Sequence, residues 1–416
     1  MQSEPVRYPR YRWILLWLAW MTQVLGTWST FLVSSLAYAL FPDLGLDQAQ
    51  FTIIYTAPLI APIFVGLLGG GFGDRYGIRL AVGIGSVAVA IAGVARAYAS
   101  SFGMLFALNC VQGAASSFIT PNLPKLVGVW FPHKEFGLAS GVYVSGQAVG
   151  MSIGLLTGPL FPDWRAAFLC VGLVAMAVAV LWIILGRSYP KGVKVPQPPI
   201  TAGLLKGLKS KNMGLLCAGQ FLLIGGFMTF TGNLPKALVS IRGVSPEAAG
   251  AVASALTWGV VVGSMVLPTV SDKVGLRKPF VYAGATLSGA CWLFGWLLAP
   301  GAAAVPLIAV GGFFLGGLVP VMFTFPLEFP EIGYKYAGGA SGLMGAAANL
   351  GGILVPLLVI SPILTIGTPG AYDQGFLVAG ALLAAISLPV AFAMETGRRA
   401  RRAAGTETPV KEPVSD

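Results

Sequence analysis

The feature that most constrains this chain is a series of long apolar stretches, mostly about 20 to 28 residues each, separated by short polar loops. Hydrophobic residues make up 56% of the 416 residues and charged residues only 10%, whereas about a quarter of a soluble domain is charged. A lipid-exposed span must satisfy its own backbone hydrogen bonds, and the short alternating segments of a β-barrel are missing. The sequence therefore predicts an all-α, multi-pass membrane protein.

We predict twelve transmembrane helices from these stretches. They lie near residues 12–38, 49–73, 78–99, 103–130, 137–160, 164–186, 213–240, 246–270, 278–299, 302–330, 338–364 and 371–394. Most lysines and arginines fall in every second loop, and the opposite loops hold Arg165 and Arg242. The positive-inside rule then places both termini in the cytoplasm, with the chain in the plasma (inner) membrane. The formal net charge of +11 thus reflects membrane topology and indicates no nucleic-acid partner.

A glycine-rich, charged segment between the second and third predicted helices has a second copy 198 residues later. Both copies read acid, base, any residue, glycine, aliphatic residue, arginine, at residues 74–79 and 272–277. The tripeptide Ala-Ser-Gly at 139–141 also recurs at 340–342. Two matching pairs of segments at nearly the same offset indicate an internal repeat. We therefore expect two pseudo-symmetric bundles of six helices.

The repeat suggests five regions along the chain. They are a cytoplasmic N-terminus (1–11), an N-terminal six-helix bundle (12–186), a proline-rich basic linker (187–212), a C-terminal six-helix bundle (213–394) and a basic cytoplasmic tail (395–416). The arginines of the tail suit a solvated position or one facing lipid headgroups. We expect the residues from about 403 to be disordered.

The fourth predicted helix is the most polar. At about 100° per residue, one face carries four polar side chains, Asn109, Gln112, Ser116 and Thr120. Pro121 and Pro124 then interrupt the helix beside Asn122 and Lys125, and free backbone carbonyl groups there. A broken polar helix beside a lysine can hold an anion.

Lys125 is the sharpest candidate for substrate contact, and three roles stay open for it. It can bind a substrate anion, pair with Glu328 or Glu331, or extend its ammonium group to the headgroups. The two glutamates flank Pro330 at the end of the tenth helix. A carboxyl group partly removed from water has a raised pKa, which suits a proton carrier; a gate pair or helix cap is the alternative.

Further polar and aromatic side chains inside the spans are candidates for lining a central cavity. They are Gln23, Tyr55, Tyr143, Gln147, Gln220, Asn233, Trp258 and Asn349. Two cations lie near the predicted outer ends of helices, Arg96 and Lys236. We expect Arg96 to be interfacial, and Lys236 to be an interface anchor or an anion-attracting residue at the mouth.

The doubled loop within a layout of six plus six helices resembles the major facilitator superfamily of secondary transporters, over about residues 10–395. The residues that match its loop motif are Gly70, Asp74, Arg75, Gly77 and Arg79 in the first copy, and Asp272, Lys273, Gly275 and Arg277 in the second. The resemblance implies that these residues form a conformational latch at the cytoplasmic side. The alternative is that they serve topology and folding alone.

The junction at residues 130–141 is similar to that of anion-handling branches of this superfamily, namely the oxalate/formate, anion:cation symporter, nitrate/nitrite and cyanate types. Residues 246–270 contain no basic residue. The nitrate/nitrite porters carry an arginine there, so this difference argues against nitrate as the substrate.

We therefore expect a monomeric secondary transporter that moves a small organic anion with protons by alternating access of two rocking bundles. Efflux of an amphipathic compound and a non-transporting sensor remain alternatives. No nucleotide motif, catalytic triad or metal-ligand spacing supports an enzyme, and the four cysteines lie in different spans, so we expect no cofactor or metal.

Overall fold

The computed structural model describes residues 10–188, 200–301, 303–397 and 399, and all regular structure in them is helical. Nine α-helices form the N-terminal half, together with short 3-10 turns at Ala57–Leu59 and Gly158–Leu160. They are α1 (Arg12–Ser35), α2 (Ala37–Leu44), α3 (Gln48–Thr56), α4 (Ile60–Tyr76), α5 (Ile78–Arg96), α6 (Phe102–Ile119), α7 (Leu123–Trp130), α8 (His133–Thr157) and α9 (Trp164–Leu185).

A short helix, α10 (Ile200–Lys209), precedes the C-terminal half and packs against residues Gly333–Leu354 of that half. The C-terminal half consists of eight α-helices and one π-helical segment, Val355–Ile360. The α-helices are α11 (Lys211–Ser240), α12 (Pro246–Val274), α13 (Lys278–Leu297), α14 (Ala304–Glu328), α15 (Gly333–Leu354), α16 (Ser361–Leu364), α17 (Pro369–Ala384) and α18 (Ser387–Phe392). The prolines of the predicted linker and the predicted disorder from 403 lie outside the described residues.

Ten helical stretches in the described part of the chain are long and apolar enough to cross a membrane. An eleventh is added if α1 and α2, which meet at an angle of 64°, count as one span. Helix α8 has 25 residues and packs against α1 and α12, but it is not among these stretches. The prediction of an all-α membrane protein is confirmed, and the count of twelve spans stays a prediction.

The two halves repeat the same packing arrangement. Four helix pairs dominate the contacts within each half, and they correspond in order. They are α1/α8, α4/α6, α5/α6 and α5/α9 in the N-terminal half, and α11/α15, α12/α14, α13/α14 and α13/α17 in the C-terminal half. The sequence repeat is thus a repeat of structure.

The helices have two ends that differ in charge, and we name them from their loops. The basic end carries Arg12, Arg79 and Arg277, and the far end carries Arg165 and Arg242. At the far end, helices begin at residues whose side chains accept a hydrogen bond from the first turn, namely Asp47, Ser101, Asp163, Ser245 and Thr368. These caps satisfy backbone N–H groups that the helix leaves unpaired.

Glycine lets helices pack backbone against backbone inside each half. A Cβ atom at Gly263 of α12 would overlap the carbonyl oxygen of Phe313 in α14. At Gly113 of α6, it would overlap the carbonyl oxygen of Pro58. Close approach through small residues is a main source of packing energy between helices in lipid, where hydrophobic burial contributes little.

The predicted break in the fourth span is confirmed. Helix α6 ends at Ile119, a turn follows, and α7 begins at Leu123 with Pro124 in its first turn. Backbone N–H groups in the first turn have no partner within the helix. Pro124, which lacks this group, therefore does not weaken α7. The break places Asn122 beside the glycine-rich end of α4, where its amide donates to the carbonyl oxygen of Gly69.

Candidate functional site

A fully buried arginine connects three helices of the N-terminal half. Arg96, at the last residue of α5, has 0% of its surface exposed. Its guanidinium group donates to the carbonyl oxygen of Ser29 at 3.0 Å, to the Ser29 hydroxyl and to Asn109 Oδ1 at 3.2 Å. It also lies over the ring of Phe168 in α9, 4.9 Å from the ring centre. Our expectation that Arg96 is interfacial is therefore wrong, because the side chain turns into the helix bundle.

Gln112 extends this cluster from α6 to α1. Its Nε2 donates to the carbonyl oxygen of Gly26 at 3.1 Å and to Thr30 Oγ1 at 3.0 Å. The Ser29 hydroxyl donates to Gln112 Oε1 at 3.2 Å while it accepts from Arg96. We call Ser29, Arg96, Asn109 and Gln112 the Arg96 cluster.

The charge of the Arg96 cluster is not neutralised within the described residues. All acceptors of the guanidinium group there are uncharged oxygens, and none is a carboxylate. Ionisable side chains buried at membrane depth are rare because their burial is expensive, and they usually mark functional positions. The cluster therefore places an uncompensated positive charge inside the N-terminal half.

The predicted polar stripe of the fourth helix divides in the structure. Asn109 and Gln112 are fully buried in the Arg96 cluster. Ser116 is half-buried and donates to the carbonyl oxygen of Gln112 in its own helix at 3.0 Å, whereas Thr120 is exposed at the helix end. The four residues thus have different surroundings, and their place in a substrate path stays a prediction.

Asn122 and Lys125 lie at the break between α6 and α7. Asn122 is fully buried and donates to the carbonyl oxygens of Gly69 at 3.0 Å and Phe118 at 2.9 Å, and its Oδ1 has no hydrogen-bond partner. Lys125 is half-buried in the first turn of α7. The amide of Asn122 joins α4 to α6, which is a structural task that the sequence did not reveal.

Polar side chains close the far end between the two halves. Ser34 of α1 donates to the carbonyl oxygens of Thr231, at 2.6 Å, and Gly232. The hydroxyl groups of Tyr55 and Thr231 are 2.9 Å apart, and Gln48 Nε2 donates to Asn233 Oδ1 at 2.7 Å. We call Ser34, Gln48, Tyr55, Thr231 and Asn233 the far-end seal.

A second contact between the halves lies beside this seal. The hydroxyl groups of Ser152 in α8 and Thr257 in α12 are hydrogen bonded and buried. Both sets of contacts between the halves lie on the far side of the molecule. The structure is therefore closed at the far end.

Two buried glutamines hold amide groups that lack partners. Gln23 of α1 and Gln220 of α11 are both buried, and the Nε2 atom of each has no hydrogen-bond partner. Each of these amide N–H groups can therefore donate to a further acceptor. The other candidates in the spans are less enclosed: Tyr143, Gln147 and Asn349 are half-buried, and Trp258 is 52% exposed.

At the basic end, Arg277 of the second motif copy is the centre of an ionic network. Its guanidinium group contacts Asp272 Oδ1 at 2.5 Å and Glu328 Oε1 at 3.0 Å. Burial lowers the Arg277 pKa, but hydrogen bonds and charge from Glu328 and Asp272 outweigh this effect, so its pKa is raised. Glu328 also accepts from the hydroxyl of Thr396 at 2.7 Å. The Arg277 guanidinium group and the Thr396 hydroxyl thus hold Glu328 in place.

Glu331 lies outside this network and is exposed. Its carboxylate accepts from Ser210 at 2.9 Å and from Asn212 at 3.0 Å. Burial raises the pKa of Glu331, but the hydrogen bonds from Asn212, the backbone and Ser210 outweigh it, and the pKa is lowered. A lowered pKa favours the capping role over proton transfer for Glu331.

In each half, the glycine-rich motif is hydrogen bonded to the segment that follows the last helix of that half. The motif copies lie at the starts of α5 and α13. The backbone N–H of Arg79 donates to Ser188 Oγ at 2.9 Å, and that of Arg277 donates to Glu395 Oε1 at 2.8 Å. Gly77 and Gly275 have φ values of 95° and 76°, which other residues rarely adopt. The side chains of Arg75 and Lys273, which also belong to the motif, are exposed. Gly70 and Asp74 are not among the described side chains, so their latch roles stay predictions.

Comparison with known proteins decides the family. Residues 19–356 match the family model of the Major Facilitator Superfamily. The chain belongs to the major facilitator superfamily. Membership makes it a membrane-embedded secondary transporter and not an enzyme, and the superfamily expected from the doubled motif is confirmed.

Curated relatives within the superfamily are named as anion transporters. The chain is 26% identical to the hexuronate transporter of Bacillus subtilis over 374 residues, which cover 84% of this chain and 86% of the relative. It is 25% identical to the nitrite extrusion protein of the same organism, covering 83% and 85%. It is 24% identical to a probable sulfoacetate transporter of Cupriavidus necator, covering 82% and 84%.

Solved structures of the superfamily have the same fold. A bacterial homologue of the human lysosomal transporter Spinster, in an inward-facing and occupied conformation, superposes with a TM-score of 0.74 at 17% identity. The alignment covers 92% of this chain and 97% of that one.

Several residues of this superfamily member have roles that our sequence reasoning missed. Ser34 makes contacts that join the two halves, and Ser188 and Glu395 anchor the two motif copies. One signal was present in the sequence: Arg96 lies inside an otherwise apolar run, where a charge needs a partner. Serines in apolar helices carry no comparable signal.

The Arg96 cluster predicts strong coupling between its members. Replacing Asn109 with Leu leaves the Arg96 charge with fewer acceptors and should lower the free energy of unfolding by about 1–3 kcal/mol. Arg96→Met removes the charge that requires Asn109, so adding Asn109→Leu to it should have a smaller effect. Thermal unfolding of the four detergent-solubilised proteins measures this double-mutant cycle. Additive effects of the two substitutions would contradict the interaction.

Proposed function

We propose that this protein carries a small anion, in particular an organic carboxylate or sulfonate, across the plasma (inner) membrane together with protons. The observation that carries the proposal is the Arg96 cluster, a buried guanidinium group whose acceptors in the described residues are all uncharged. A fixed positive charge in the low-dielectric interior of the N-terminal half attracts an anion and repels a cation. The names of the hexuronate, nitrite and sulfoacetate relatives support the same substrate class.

We infer that transport proceeds by alternating access of two six-helix bundles, residues 12–186 and 213–394, joined by a linker at 187–212. In the closed far end, the two halves meet through the far-end seal. These are neutral hydrogen bonds, each of which contributes only about 0.5–1.5 kcal/mol, so the halves can separate there at moderate cost. The basic end is the cytoplasmic side in this proposal, and the transporter works as a monomer.

The substrate path proposed here runs between the halves, past the unpaired amides of Gln23 and Gln220 to Lys125 at the helix break. Both amide Nε2 atoms can donate to an anionic oxygen. Lys125 supplies a positive charge closer to the basic end. Glu328, rather than Glu331, is the better candidate for proton coupling or gating, since its carboxylate is mostly buried and contacts Arg277.

Uptake into proteoliposomes tests the proposed substrate class. We expect radiolabelled D-glucuronate or sulfoacetate to accumulate when an inward-directed proton gradient is imposed, and the accumulation to collapse when a protonophore removes the gradient. Nitrite is tested in the same way as an example of an inorganic anion. Empty liposomes and liposomes with a heat-unfolded sample are the controls. Export of a lipophilic dye without uptake of any anion would replace this proposal with amphipathic efflux.

Substitution of Lys125 tests the proposed path. We expect Lys125→Ala to reduce anion uptake at least about tenfold, and Lys125→Arg to retain more of it, because loss of about 1.4 kcal/mol of binding energy is a factor of ten. Lys209→Ala, which removes an exposed lysine at the same end, is the matched control. Gel filtration and thermal unfolding establish that each variant is folded. Wild-type uptake by a folded Lys125→Ala protein would remove Lys125 from the path.

A further inference from the structure

Lys236 of α11 binds across the boundary between the two halves. Its ammonium nitrogen donates to Gln48 Oε1 at 2.8 Å and lies 3.3 Å from the centre of the Phe41 ring. Gln48 and Phe41 both belong to the N-terminal half. The predicted role of Lys236 as a lipid-interface anchor is therefore not what this structure shows, because the side chain lies half-buried between the halves.

Lys236 lacks an acidic partner in this closed arrangement. Among the described residues, no carboxylate oxygen lies within ion-pair distance of its ammonium group, and its two contacts are an amide oxygen and an aromatic face. Two acids of the far end contact other groups. Asp43 binds Arg165 at 2.7 Å, and Asp373 accepts from Trp296 at 2.6 Å. The charge of Lys236 is thus held by neutral groups alone.

Separation of the halves at the far end would remove both contacts of Lys236 at once. Gln48 would also release Asn233, which lies one turn before Lys236 on the same face of α11. The lysine would then face an aqueous mouth with no described carboxylate beside it. A cation on a low-dielectric wall attracts anions from solution and raises their local concentration.

We propose that Lys236 is an anion-binding site that exists only when the far end is open. On closure, Gln48 Oε1 and the Phe41 ring take the place of the bound anion, so the anion leaves Lys236 as the halves meet. Lys236 thereby recruits the substrate anion on the far side, and the closed state holds no anion there. This proposal rests on the proposed anion transport, and it adds a site that acts before the central path.

Chemical labelling of Lys236 tests the exposure part of the proposal without requiring transport. Gly250 of α12 packs against the backbone of Leu155 in the other half, where a side chain would act as a wedge. We expect Gly250→Trp to speed acetylation of Lys236 by a membrane-impermeant N-hydroxysuccinimide ester several-fold, as measured by peptide mass spectrometry on vesicles with the far end outside. Gly370→Trp is the control, because Gly370 is also at the far end and has open space around it.

Protection from this labelling tests anion binding. In the Gly250→Trp protein, D-glucuronate and nitrite should each slow the acetylation of Lys236, whereas D-glucose at the same concentration should not. Equal labelling with and without every anion tested would overturn the proposed site. Labelling of Lys236 that is as fast in wild type as in Gly250→Trp would overturn its dependence on the open state.

Transport kinetics separate this proposal from the proposed function. We expect Lys236→Gln to raise the far-side KM for the transported anion roughly tenfold at low salt, with less effect at high salt and little effect on the maximal rate. Lys236→Arg should restore the KM to within about threefold of wild type. If the wild-type protein transports an anion and Lys236→Gln has an unchanged KM, the Lys236 site is rejected while the proposed anion transport stands. If wild type transports no anion, the proposed function fails.

Discussion

The hydrocarbon core of a membrane offers no water to a buried polar group, and the arrangement of charges in this protein follows from that constraint. Arg96 is fully buried, and its guanidinium group donates to Ser29 and Asn109. Gln112 then binds α1 through the same serine. Three helices of the N-terminal half are held together because one cation needs acceptors.

Neutral contacts join the two halves, whereas the ion pairs of Arg277 and of Arg165 each lie within one half. Apart from Lys236, the described contacts that join the two halves at the far end are between uncharged groups, such as the hydroxyl pair of Tyr55 and Thr231. The ionic network of Arg277, Asp272 and Glu328 lies within the C-terminal half at the basic end. Neutral hydrogen bonds can be exchanged for water at little net cost, whereas breaking a buried ion pair is expensive. This distribution suits a protein whose halves separate while each half stays intact.

Much of the fold could be predicted from the sequence because lipid imposes simple rules. The long apolar runs gave the helices, the repeated Asp-to-Arg motif gave the two related halves, and the prolines at 121 and 124 gave the break beside Lys125. The positions of individual polar side chains could not be predicted. Whether Arg96 turns inward to Ser29 or outward to lipid depends on which helix packs beside α5, and that packing depends on the whole bundle.

The same limit explains Gln48, Ser188 and Glu395. Each has ordinary polar surroundings in the sequence, and each contacts residues more than 100 positions away. Periodicity describes one helix at a time, so it does not report such contacts. The candidate list named Asn233 and Tyr55 as cavity residues, and in this closed arrangement both take part in the far-end seal. Their place in a substrate path remains a prediction for the open state.

In this account, negative charge on the ligand decides what the protein binds. Equilibrium binding of D-glucuronate and D-galacturonate to the purified protein, each compared with its uncharged methyl ester, tests the claim most directly. Each pair has nearly the same shape, and only the acid carries a full charge. We predict saturable binding of at least one acid, with its ester at least about tenfold weaker. Esters that bind as tightly as the acids would contradict the account.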